Sequence, residues 1–508
     1  MNKINFANIL ESTVNRLPNQ LALITEEGSL TYEELYLHVN SLARGLMDLG
    51  IKQGNTVACL LPNGLEIVTT HFAAAKIGAT LVPLNHYLKP PELQILLKHS
   101  GAMLLIAHSS FAKHIMALDK AVIEKLIIIW AGESAPGDTN FKEIINSYPR
   151  LDIYPETTVN ELCSILYTSG TTGNPKGVMR THENNYWAAI NMALHIPYKP
   201  GDLELFLLPM STIGFFNIFA PNIIGGSTVL IQESFEKGKI LEAIDGNRIT
   251  RIYLASPMWD MLISNQRFFE YDTSSLEQLL AGSAPMPVET KIRMSKVFSA
   301  AKIYEIWGMT EGGLISLGPE KAFEKLGSIG KPIHFNEAKI VDEQSFKVTP
   351  GMVGEIVIRG KSVMPGYYKN PEETNKCFNE GWFHTADMAR YDDEGYIYLV
   401  GRKSDMIIFG DNKVYPKEVE EVLLMHPHVI EAAAFGLPDK VWGEIAVAVV
   451  VKQKDSPVTQ KELNDFMEKY IANYKKPKFI FFSDELPRTA TGKIIKNELK
   501  KIYIGEIS

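Results

Sequence analysis

The segment LYTSGTTGNPKGV at residues 166–178 is the most informative part of the sequence. It contains an unbroken run of hydroxyl and glycine residues: Thr168, Ser169, Gly170, Thr171, Thr172 and Gly173. The glycines let the backbone approach a ligand, and the hydroxyls, the backbone amides and the cation of Lys176 suit a polyphosphate. The loop lacks the G-x-x-x-x-G-K-[ST] pattern of common P-loops. A flexible linker is the alternative, but an apolar strand at residues 162–167 leads into the loop and disfavours it.

This loop resembles the phosphate loop of the adenylate-forming superfamily, which contains acyl-CoA synthetases, peptide-synthetase adenylation domains and firefly luciferase. The family pattern [YF]-T-S-G-[ST]-T-G-x-P-K-G is met in full at residues 167–177. The resemblance implies that the loop binds ATP, that Lys176 is a catalytic residue and that Thr168 is a ligand of Mg²⁺.

The composition predicts a soluble, cytoplasmic protein of more than one domain. A chain of 508 residues exceeds one ordinary core, and 45% hydrophobic with 22% charged residues is typical of soluble proteins. A net charge of −8 argues against nucleic-acid binding. The three scattered cysteines predict neither a disulfide framework nor a metal site. We expect no signal peptide and no membrane span, because no run approaches ~18 apolar residues.

The order of secondary-structure signals predicts an α/β multidomain fold. Short apolar segments alternate with helical ones before residue 331, which predicts βαβ units and mostly parallel sheets. Strands are expected at residues 162–167 and 206–209, and a helix at His182–His195 after the phosphate loop. From residue 331 onward, short strands with glycine turns predict a β-barrel-like subdomain. The last hundred residues predict a small α+β domain.

We place the domain boundary at a charged turn near residue 403. Residues 1–402 would form the N-terminal adenylation domain, residues 403–405 a hinge, and residues 406–508 a mobile C-terminal domain. The resemblance implies that the large domain contains two α/β subdomains besides the β-subdomain. Two capping-box patterns predict helix starts: Thr31 with Glu34, and Thr459 with Glu462, whose helix should run to Tyr470.

A second candidate site is YEIWGMTE at residues 304–311, which ends an apolar strand. A carboxylate near a phosphate loop would serve Mg²⁺, because this hard cation prefers oxygen ligands. Alone, the segment fits an ordinary turn; its position after the phosphate loop favours a nucleotide site. It matches the family pattern [YW]-G-x-T-E, which implies that Trp307 lies by the adenine and that Thr310 and catalytic Glu311 bind phosphate and metal. Further expected nucleotide contacts are Gly308, Met309 and, within AGSAP at residues 281–285, Ala284 and Pro285.

A third candidate site combines Thr385-Ala386-Asp387 with Arg402. A carboxylate and a guanidinium can hold two neighbouring ribose hydroxyls, one group accepting and the other donating hydrogen bonds. By themselves, Asp387 fits a turn residue and Arg402 a surface charge. The family's usual form is T-G-D, so Ala386 departs from it while Asp387 is retained.

The fourth candidate site is PRTATGKI at residues 487–494, which contains Lys493. It matches the family pattern P-x-T-x-[ST]-G-K-[IV]. In the family this lysine bridges the acid's carboxylate, the ribose side and the α-phosphate, so the resemblance makes Lys493 catalytic. A placed cation offsets the repulsion between two anions that must meet for the carboxylate to attack phosphorus.

Three positions depart from the family pattern outside the nucleotide site. The hinge position two residues after Arg402 is Ser404, where Asp or Lys is common. The loop usually written S-G-G-E-N is Phe409-Gly410-Asp411-Asn412, so Gly410 is the glycine expected on the side of the thiol, CoA. The segment usually written P-L-F-H has Thr212 at its last position.

The acid is predicted to lack an α-amine. Amino-acid-activating relatives hold the amine with an aspartate in the helix after Pro209, but residues 209–224 contain no Asp or Glu. A buried ammonium without a counter-charge costs several kcal/mol. We therefore expect a fatty or aromatic acid. The candidate acyl-pocket residues are Ser211, Thr212, Phe215, Phe216, Gly282, Gly308 and Gly312.

The resemblance covers nearly the whole chain and implies an acid–CoA ligase that uses ATP and Mg²⁺. Acid and ATP would give acyl-AMP and pyrophosphate, and CoA would then take the acyl group. Two alternatives stay open: transfer to the phosphopantetheine of an acyl carrier protein, and a catalytically silent binder of acyl-AMP or nucleotide. A luciferase-like oxygenase shares every motif, but nothing in the sequence favours it. The sequence also leaves open whether the protein is a homodimer.

Overall fold

The computed structural model describes residues 5–132, 139–147, 157–168, 175–284, 286–410, 412–488 and 494–507. The strands are β1 (Leu21–Thr25), β2 (Gly28–Thr31), β3 (Thr56–Leu60), β4 (Thr80–Pro83), β5 (Leu104–His108), β6 (Ile127–Ala131), β7 (Leu162–Thr168), β8 (Lys176–Thr181), β9 (Leu203–Phe206), β10 (Thr228–Ile231), β11 (Arg251–Ala255), β12 (Gln278–Gly282), β13 (Lys302–Met309), β14 (Gly312–Leu317), β15 (Lys331–Pro332), β16 (Asn336–Val341), β17 (Gly354–Gly360), β18 (Phe378–Asn379), β19 (Trp382–Tyr391), β20 (Ile397–Arg402), β21 (Ile407–Phe409), β22 (Asn412–Val414), β23 (Val429–Asp439), β24 (Gly443–Lys452) and β25 (Phe479–Phe482).

The helices lie mostly between these strands. They are α1 (Asn8–Arg16), α2 (Tyr32–Asp48), α3 (Leu65–Lys76), α4 (Pro90–Ser100), α5 (Ala112–Met116), α6 (Lys120–Ile123), α7 (Phe141–Ser147), α8 (His182–His195), α9 (Ala220–Gly225), α10 (Lys237–Asn247), α11 (Ser256–Ile263), α12 (Val288–Val297), α13 (Pro371–Cys377), α14 (Pro416–Leu424), α15 (Gln460–Met467) and α16 (Lys496–Ile507). A π-helical turn covers Phe215–Phe219, and 3₁₀ turns cover Ser109–Phe111, Phe268–Glu270, Lys403–Asp405 and Asn473–Lys475.

Both predicted capping boxes are present. The backbone N–H of Thr31 donates to the Glu34 carboxylate at 2.8 Å, while the Glu34 N–H donates to the Thr31 hydroxyl at 3.2 Å. The pair at Thr459 and Glu462 repeats this arrangement at the start of α15. That helix ends at Met467, before the predicted Tyr470, because the chain tightens into a turn after it.

Two α/β sheets form the larger part of the described chain, as predicted. The first has six strands in the order β6-β5-β3-β4-β7-β8, parallel except for β8. The second has nine strands in the order β15-β14-β13-β12-β11-β9-β10-β1-β2. Its central strands, from β13 to β1, are parallel, and antiparallel strands lie at both edges. The parallel strands bring their carboxyl ends to one edge, where ligands bind in such sheets.

The phosphate loop joins two antiparallel strands, and the predicted helix comes one strand later. Thr168 at the end of β7 lies opposite Lys176 at the start of β8, and α8 follows β8 with the bounds expected from the sequence. Gly177 is needed in this hairpin, because a Cβ there would lie 2.9 Å from the Ile165 side chain. The two ends of the loop therefore lie side by side, at the paired residues Thr168 and Lys176.

One predicted strand in the second sheet is displaced. The strand expected at residues 206–209 is β9, which ends at Phe206. Residues 207–209 leave the sheet at its carboxyl end, since Pro209 has no N–H to donate to a neighbouring strand. This carries the following segment over the edge where the ligand site is expected.

The remaining strands form two smaller sheets. The β-subdomain is an antiparallel sheet in the order β16-β17-β19-β18, with β20 also paired to β19, and this order is an open path. The last sheet has the order β22-β21-β24-β23, with β25 parallel to β24, and α14 packs against β23. Among the described residues, no helix is long and apolar enough to cross a membrane.

Candidate active site

Glu311 lies in the turn between β13 and β14 and is held in place from two sides. The Tyr367 hydroxyl donates to Glu311 Oε1 at 2.8 Å, and the Met364 backbone N–H donates to the Glu311 carbonyl at 2.7 Å. Burial, followed by the neighbouring Glu311 carboxylate, raises the pKa of Tyr367 well above its usual value. The phenol therefore stays protonated and donates to the carboxylate, which fixes the position of the Glu311 side chain.

A buried arginine supports the same turn. The Arg180 guanidinium donates to the Ser362 carbonyl at 2.7 Å, to Asn185 Oδ1 at 3.0 Å and, more weakly, to the Thr310 carbonyl at 3.4 Å. Burial lowers the pKa of Arg180 to about 10. Sequence reasoning assigned no role to either Arg180 or Tyr367, although Tyr367 ends a segment, residues 354–367, that fits the family pattern.

Lys176 and Thr168 share this end of the first sheet. The two residues are register partners across the β7–β8 hairpin. The Lys176 ammonium lies 5.2 Å from the centre of the Tyr367 ring, whose hydroxyl binds Glu311. Thus the hairpin that carries the phosphate loop and the turn that carries Glu311 meet at Tyr367.

The donor set fits a magnesium ion that is shared with phosphate. In the described part of the chain, no cluster of three or more His, Cys, Asp or Glu side chains could hold a metal by itself. Mg²⁺ usually takes one or two carboxylates and completes its shell with water and substrate phosphate oxygens. One fixed carboxylate, Glu311, and the hydroxyl of Thr168 beside a phosphate loop match that habit, and their role as ligands stays a prediction.

The residues predicted for the ribose and adenine come together. Arg402 Nε lies 2.6 Å from Asp387 Oδ1, and the two residues are partners on the paired strands β19 and β20. The Trp307 indole N–H donates to Asp387 Oδ2 at 3.2 Å. The carboxylate is therefore oriented by two donors from different elements, which pre-organises it for hydroxyl groups.

Ala386 adopts a backbone conformation that favours glycine. Its φ is +60°, and its N–H donates to Glu355 Oε1 at 2.9 Å. A non-glycine residue in the left-handed region costs about 1 kcal/mol. This explains physically why T-G-D is the usual form of the motif, and it places local strain beside Asp387.

Replacing Ala386 with glycine should therefore stabilise the fold. We expect the free energy of unfolding to rise by up to about 1 kcal/mol, because glycine accepts positive φ without steric cost. Urea unfolding of the wild type and the variant measures this. Ala386→Val is the control and should destabilise, because a β-branched residue tolerates positive φ poorly; stabilisation by valine would contradict the explanation.

The segment after β12 is also strained. Ser283 has φ +61°, and its hydroxyl lies 3.1 Å from the Tyr253 hydroxyl, while Ser256 Oγ donates to the Ala284 carbonyl at 2.8 Å. A Cβ at Gly282 would lie 2.4 Å from the Tyr253 hydroxyl. Strained residues persist where surrounding contacts fix them, often at ligand sites.

At two glycines predicted for the acyl pocket, neighbouring protein atoms leave little room for a side chain. A Cβ at Gly308 would approach Leu314 Cδ2 at 3.1 Å and Asn217 Nδ2 at 4.0 Å. A Cβ at Gly312, where φ is +124°, would approach the Ser362 carbonyl at 2.4 Å. Asn217 was missed by sequence reasoning, although it is the first polar residue in the mostly apolar run after Thr212.

The two phenylalanines predicted for this pocket lie in the packed core. Phe215 stacks on the imidazole of His71 with ring centres 3.7 Å apart, and Phe216 meets Phe6 edge-on at 5.0 Å. Both side chains are fully buried.

The two polar residues predicted beside them are placed differently. The Thr212 hydroxyl donates to the Pro209 carbonyl at 2.7 Å, so it caps its own turn. Ser211 is buried, and its hydroxyl has no hydrogen-bond partner within the described residues. Ser211 thus keeps an unused polar group in this segment.

The residues predicted for the hinge and for the CoA side both lie at turns of the backbone. Ser404 lies in the exposed 3₁₀ turn Lys403–Asp405, directly after β20. Gly410 has φ +56°, and its N–H donates to the Trp442 carbonyl at 2.8 Å. Six nucleotide-site predictions and the predicted catalytic lysine lie outside the described residues: Ser169, Gly170, Thr171, Thr172, Gly173, Pro285 and Lys493.

Comparison with known proteins gives an independent view of the chain. The model of the AMP-binding enzyme family matches residues 10–368, and that of the AMP-binding enzyme C-terminal domain matches residues 418–493. The feruloyl-CoA synthase of an Amycolatopsis species is 35% identical over 480 residues, which cover 94% of each chain.

Two solved structures extend the comparison to the fold. ATP-bound MatB from Rhodopseudomonas palustris superposes with a TM-score of 0.91 at 26% identity and covers 100% of both chains. The o-succinylbenzoate CoA synthetase (MenE) of Bacillus subtilis, in complex with its acyl-adenylate intermediate, gives 0.85 at 31% identity over 98% of both chains. The same synthetase has been solved with ATP and magnesium ion. The expected resemblance is confirmed on both counts: the chain belongs to the AMP-binding enzyme family.

Proposed function

We propose that this enzyme activates an aromatic carboxylic acid as its acyl-adenylate and transfers the acyl group to CoA. The chain is an AMP-forming carboxylate–CoA ligase that uses ATP and Mg²⁺, given its family and its full-length similarity to CoA synthetases. The observation that carries the proposal is that β13 and the turn after it contribute to two contact groups. Trp307 of β13 contacts Asp387, which pairs with Arg402. Glu311 of the turn binds Tyr367, whose ring lies beside Lys176.

The first half-reaction forms one bond to phosphorus and breaks another. A carboxylate oxygen of the acid attacks the α-phosphorus of ATP, and the bond to the β-phosphate oxygen breaks as pyrophosphate leaves. Asp387 and Arg402 would hold the ribose, Trp307 would lie by the adenine, and Lys176 would bind the outgoing phosphates. A magnesium ion held by Glu311 would supply charge stabilisation for those phosphates. Lys493 would bring the two anions together.

The second half-reaction needs neither the outer phosphates nor their cation. The CoA sulfur attacks the carbonyl carbon of the acyl-adenylate, and AMP leaves with the electron pair of the broken C–O bond. Gly410 would lie on the side from which the thiol enters. The glycine conformation there keeps side-chain bulk out of that loop.

The preference for an aromatic acid rests on one polar group and on the similar synthetases. Gly282 and Gly308 do not add to it, because protein atoms fill the space beside them: a Cβ would lie 2.4 Å from the Tyr253 hydroxyl at Gly282 and 3.1 Å from Leu314 Cδ2 at Gly308. Asn217, beside Gly308, adds one uncharged polar group that can accept or donate a hydrogen bond to a ring substituent. The acids named for the similar synthetases, ferulate and o-succinylbenzoate, are aromatic as well.

A panel of acids tests this function. Pyrophosphate release should be measured with ATP and Mg²⁺ for benzoates, hydroxycinnamates, short dicarboxylates and fatty acids, with and without CoA. We expect the highest kcat/KM for an aromatic acid and a CoA thioester by mass spectrometry. A fatty acid as the best substrate would overturn the aromatic assignment. Transfer only to a phosphopantetheinylated carrier protein would overturn CoA as the thiol.

Ser404 offers a test of the proposed hinge. Proline at position 404 fixes φ at about −65° where the small domain would have to turn between half-reactions. We expect Ser404→Pro to slow thioester formation from supplied acyl-AMP about tenfold or more, with a smaller effect on adenylation. Ser404→Ala removes the hydroxyl but keeps the backbone free, so it should match the wild type. Equal losses in both half-reactions would argue against a hinge here.

A further inference from the structure

The ammonium of Lys176 is already bound to a carboxylate from a distant part of the chain. Its Nζ lies 2.5 Å from Glu373 Oε2, and the two residues are separated by 197 positions. Both side chains are partly buried. Lys176 is the residue proposed above to bind the outgoing phosphates. The Glu373 carboxylate therefore binds the same ammonium that the phosphates would bind.

Glu373 is held firmly at this place. It lies in the first turn of α13, where its N–H donates to Asn370 Oδ1 at 3.1 Å. The next residue, Thr374, accepts a hydrogen bond from the backbone N–H of Tyr367 at 2.9 Å. Since the Tyr367 hydroxyl binds Glu311, α13 is connected to the predicted metal ligand through Tyr367.

Glu373 has a second cation available. Lys376 Nζ lies 3.2 Å from Glu373 Oε1 and 2.7 Å from Glu372 Oε1. When Lys176 leaves, Glu373 therefore keeps an ion pair and is not stranded. The hydrogen bond from Lys176, followed by that from Lys376, holds the pKa of Glu373 below its usual value, so the carboxylate is charged at neutral pH.

Two anions thus compete for one ammonium. The phosphates of ATP and pyrophosphate carry several negative charges, so they attract Lys176 and repel Glu373. Before Lys176 can bind phosphate, its ion pair with Glu373 must break. For partly exposed ion pairs, this cost corresponds to about a two- to fivefold weaker binding constant for the phosphate ligand. The same exchange in reverse favours departure of the product.

We propose that Glu373 holds Lys176 between turnovers, yields it to the incoming phosphates, and takes it back as pyrophosphate leaves. Glu373 is a positioning residue in this scheme and does not touch the reacting atoms. The proposal rests on the proposed role of Lys176 in the reaction. It predicts that Glu373 weakens the binding of both ATP and pyrophosphate, which is the opposite of what a residue supporting the site would do.

Direct binding measurements on Glu373→Gln test the proposal. Isothermal titration of the purified enzyme with magnesium pyrophosphate, and with a non-hydrolysable ATP analogue, needs neither the acid nor CoA. Both dissociation constants should fall about two- to fivefold relative to the wild type. Release of pyrophosphate, followed by rapid mixing, should slow by a similar factor. Unchanged or weaker binding in Glu373→Gln would overturn the proposal.

The neighbouring Glu372 gives a matched control. It lies in the same helical turn, pairs with Lys376 and loses the same charge in Glu372→Gln, so both dissociation constants should stay at their wild-type values. Glu373→Gln should also have no effect in a Lys176→Ala background. Tighter binding in either control would show general repulsion by negative charge and would overturn the specific exchange.

A second variant covers the case in which Glu373→Gln folds poorly. Glu373→Asp keeps the charge but withdraws the carboxylate by one methylene group, so it should tighten both ligands by a smaller factor than glutamine. Because all these titrations omit the acid and CoA, they still report on the ion pair if the acid assignment fails. Conversely, the acid panel reports on the function whatever the titrations show.

Discussion

Replacing Lys493 with alanine is expected to slow acyl-adenylate formation by about 10²–10⁴-fold. The carboxylate of the acid and the α-phosphate of ATP are both negative, and they must come into bonding distance. A placed ammonium offsets their repulsion and the charge that grows on the phosphate oxygens in the transition state. Alanine leaves the two anions to approach without it. Single-turnover pyrophosphate release with saturating acid measures the loss.

The second half-reaction provides the contrast for this variant. Thiol attack on the mixed anhydride needs no bridge between a carboxylate and a phosphate, so thioester formation from supplied acyl-AMP should be nearly intact in Lys493→Ala. Lys493→Arg is the matched control: it keeps the charge but changes its geometry, and it should recover part of the first step. If both half-reactions fell together, Lys493 would have a structural or shared role, and the two-state scheme would fail.

Replacing Glu311 with glutamine is expected to lower the rate of adenylation about 10²-fold at low Mg²⁺. The amide keeps the shape of the side chain and still accepts the hydrogen bond from Tyr367, but it loses the charge that a hard cation prefers. The loss should shrink as Mg²⁺ is raised, because more free ion refills a weaker site. Titration of pyrophosphate release with Mg²⁺ at fixed ATP separates this effect from a simple loss of fold.

Tyr367→Phe grades the same prediction. It removes only the hydrogen bond to Glu311, and losing such an outer contact typically costs about 10–100-fold in metal affinity. The Mg²⁺ requirement should therefore rise less than in Glu311→Gln. An unchanged Mg²⁺ dependence in Glu311→Gln would show that this carboxylate does not hold the ion.

Local sequence signals predicted those parts of the structure that one segment determines by itself. The capping pair Thr31 and Glu34 satisfies backbone N–H groups within four residues, so its geometry follows from the sequence of that turn. The bounds of His182–His195 follow in the same way from the Thr181 cap and the apolar pattern after it. The family motifs likewise predicted that Asp387 and Arg402 act together, and the structure pairs them. Trp307, which was assigned to a separate segment, contacts the same carboxylate.

Contacts between distant segments could not be read from the sequence. Glu373 reaches Lys176 only because α13 and the β7–β8 hairpin pack side by side, and nothing near either residue signals the other. Phe215 looks the same in sequence whether it lines a pocket or fills a core, and its stacking on His71 could not be predicted from the sequence. The positive φ of Ala386 is also invisible in an alanine, and only the absence of the usual glycine pointed to it.

The arrangement at the end of β20 has a mechanical consequence. Arg402, which forms an ion pair with Asp387, is the last residue of that strand, and Lys403 begins the turn that we propose as the hinge. The point about which the small domain would turn is therefore fixed by the same two side chains that we assign to the ribose. A nucleotide bound to Asp387 and Arg402 would make this point more rigid. The small domain would then turn about a rigid point while acyl-AMP is bound and about a more flexible one after AMP departs. Nucleotide binding and domain rotation would then depend on the same two residues, so the order of the domain movements would depend on which ligand is bound.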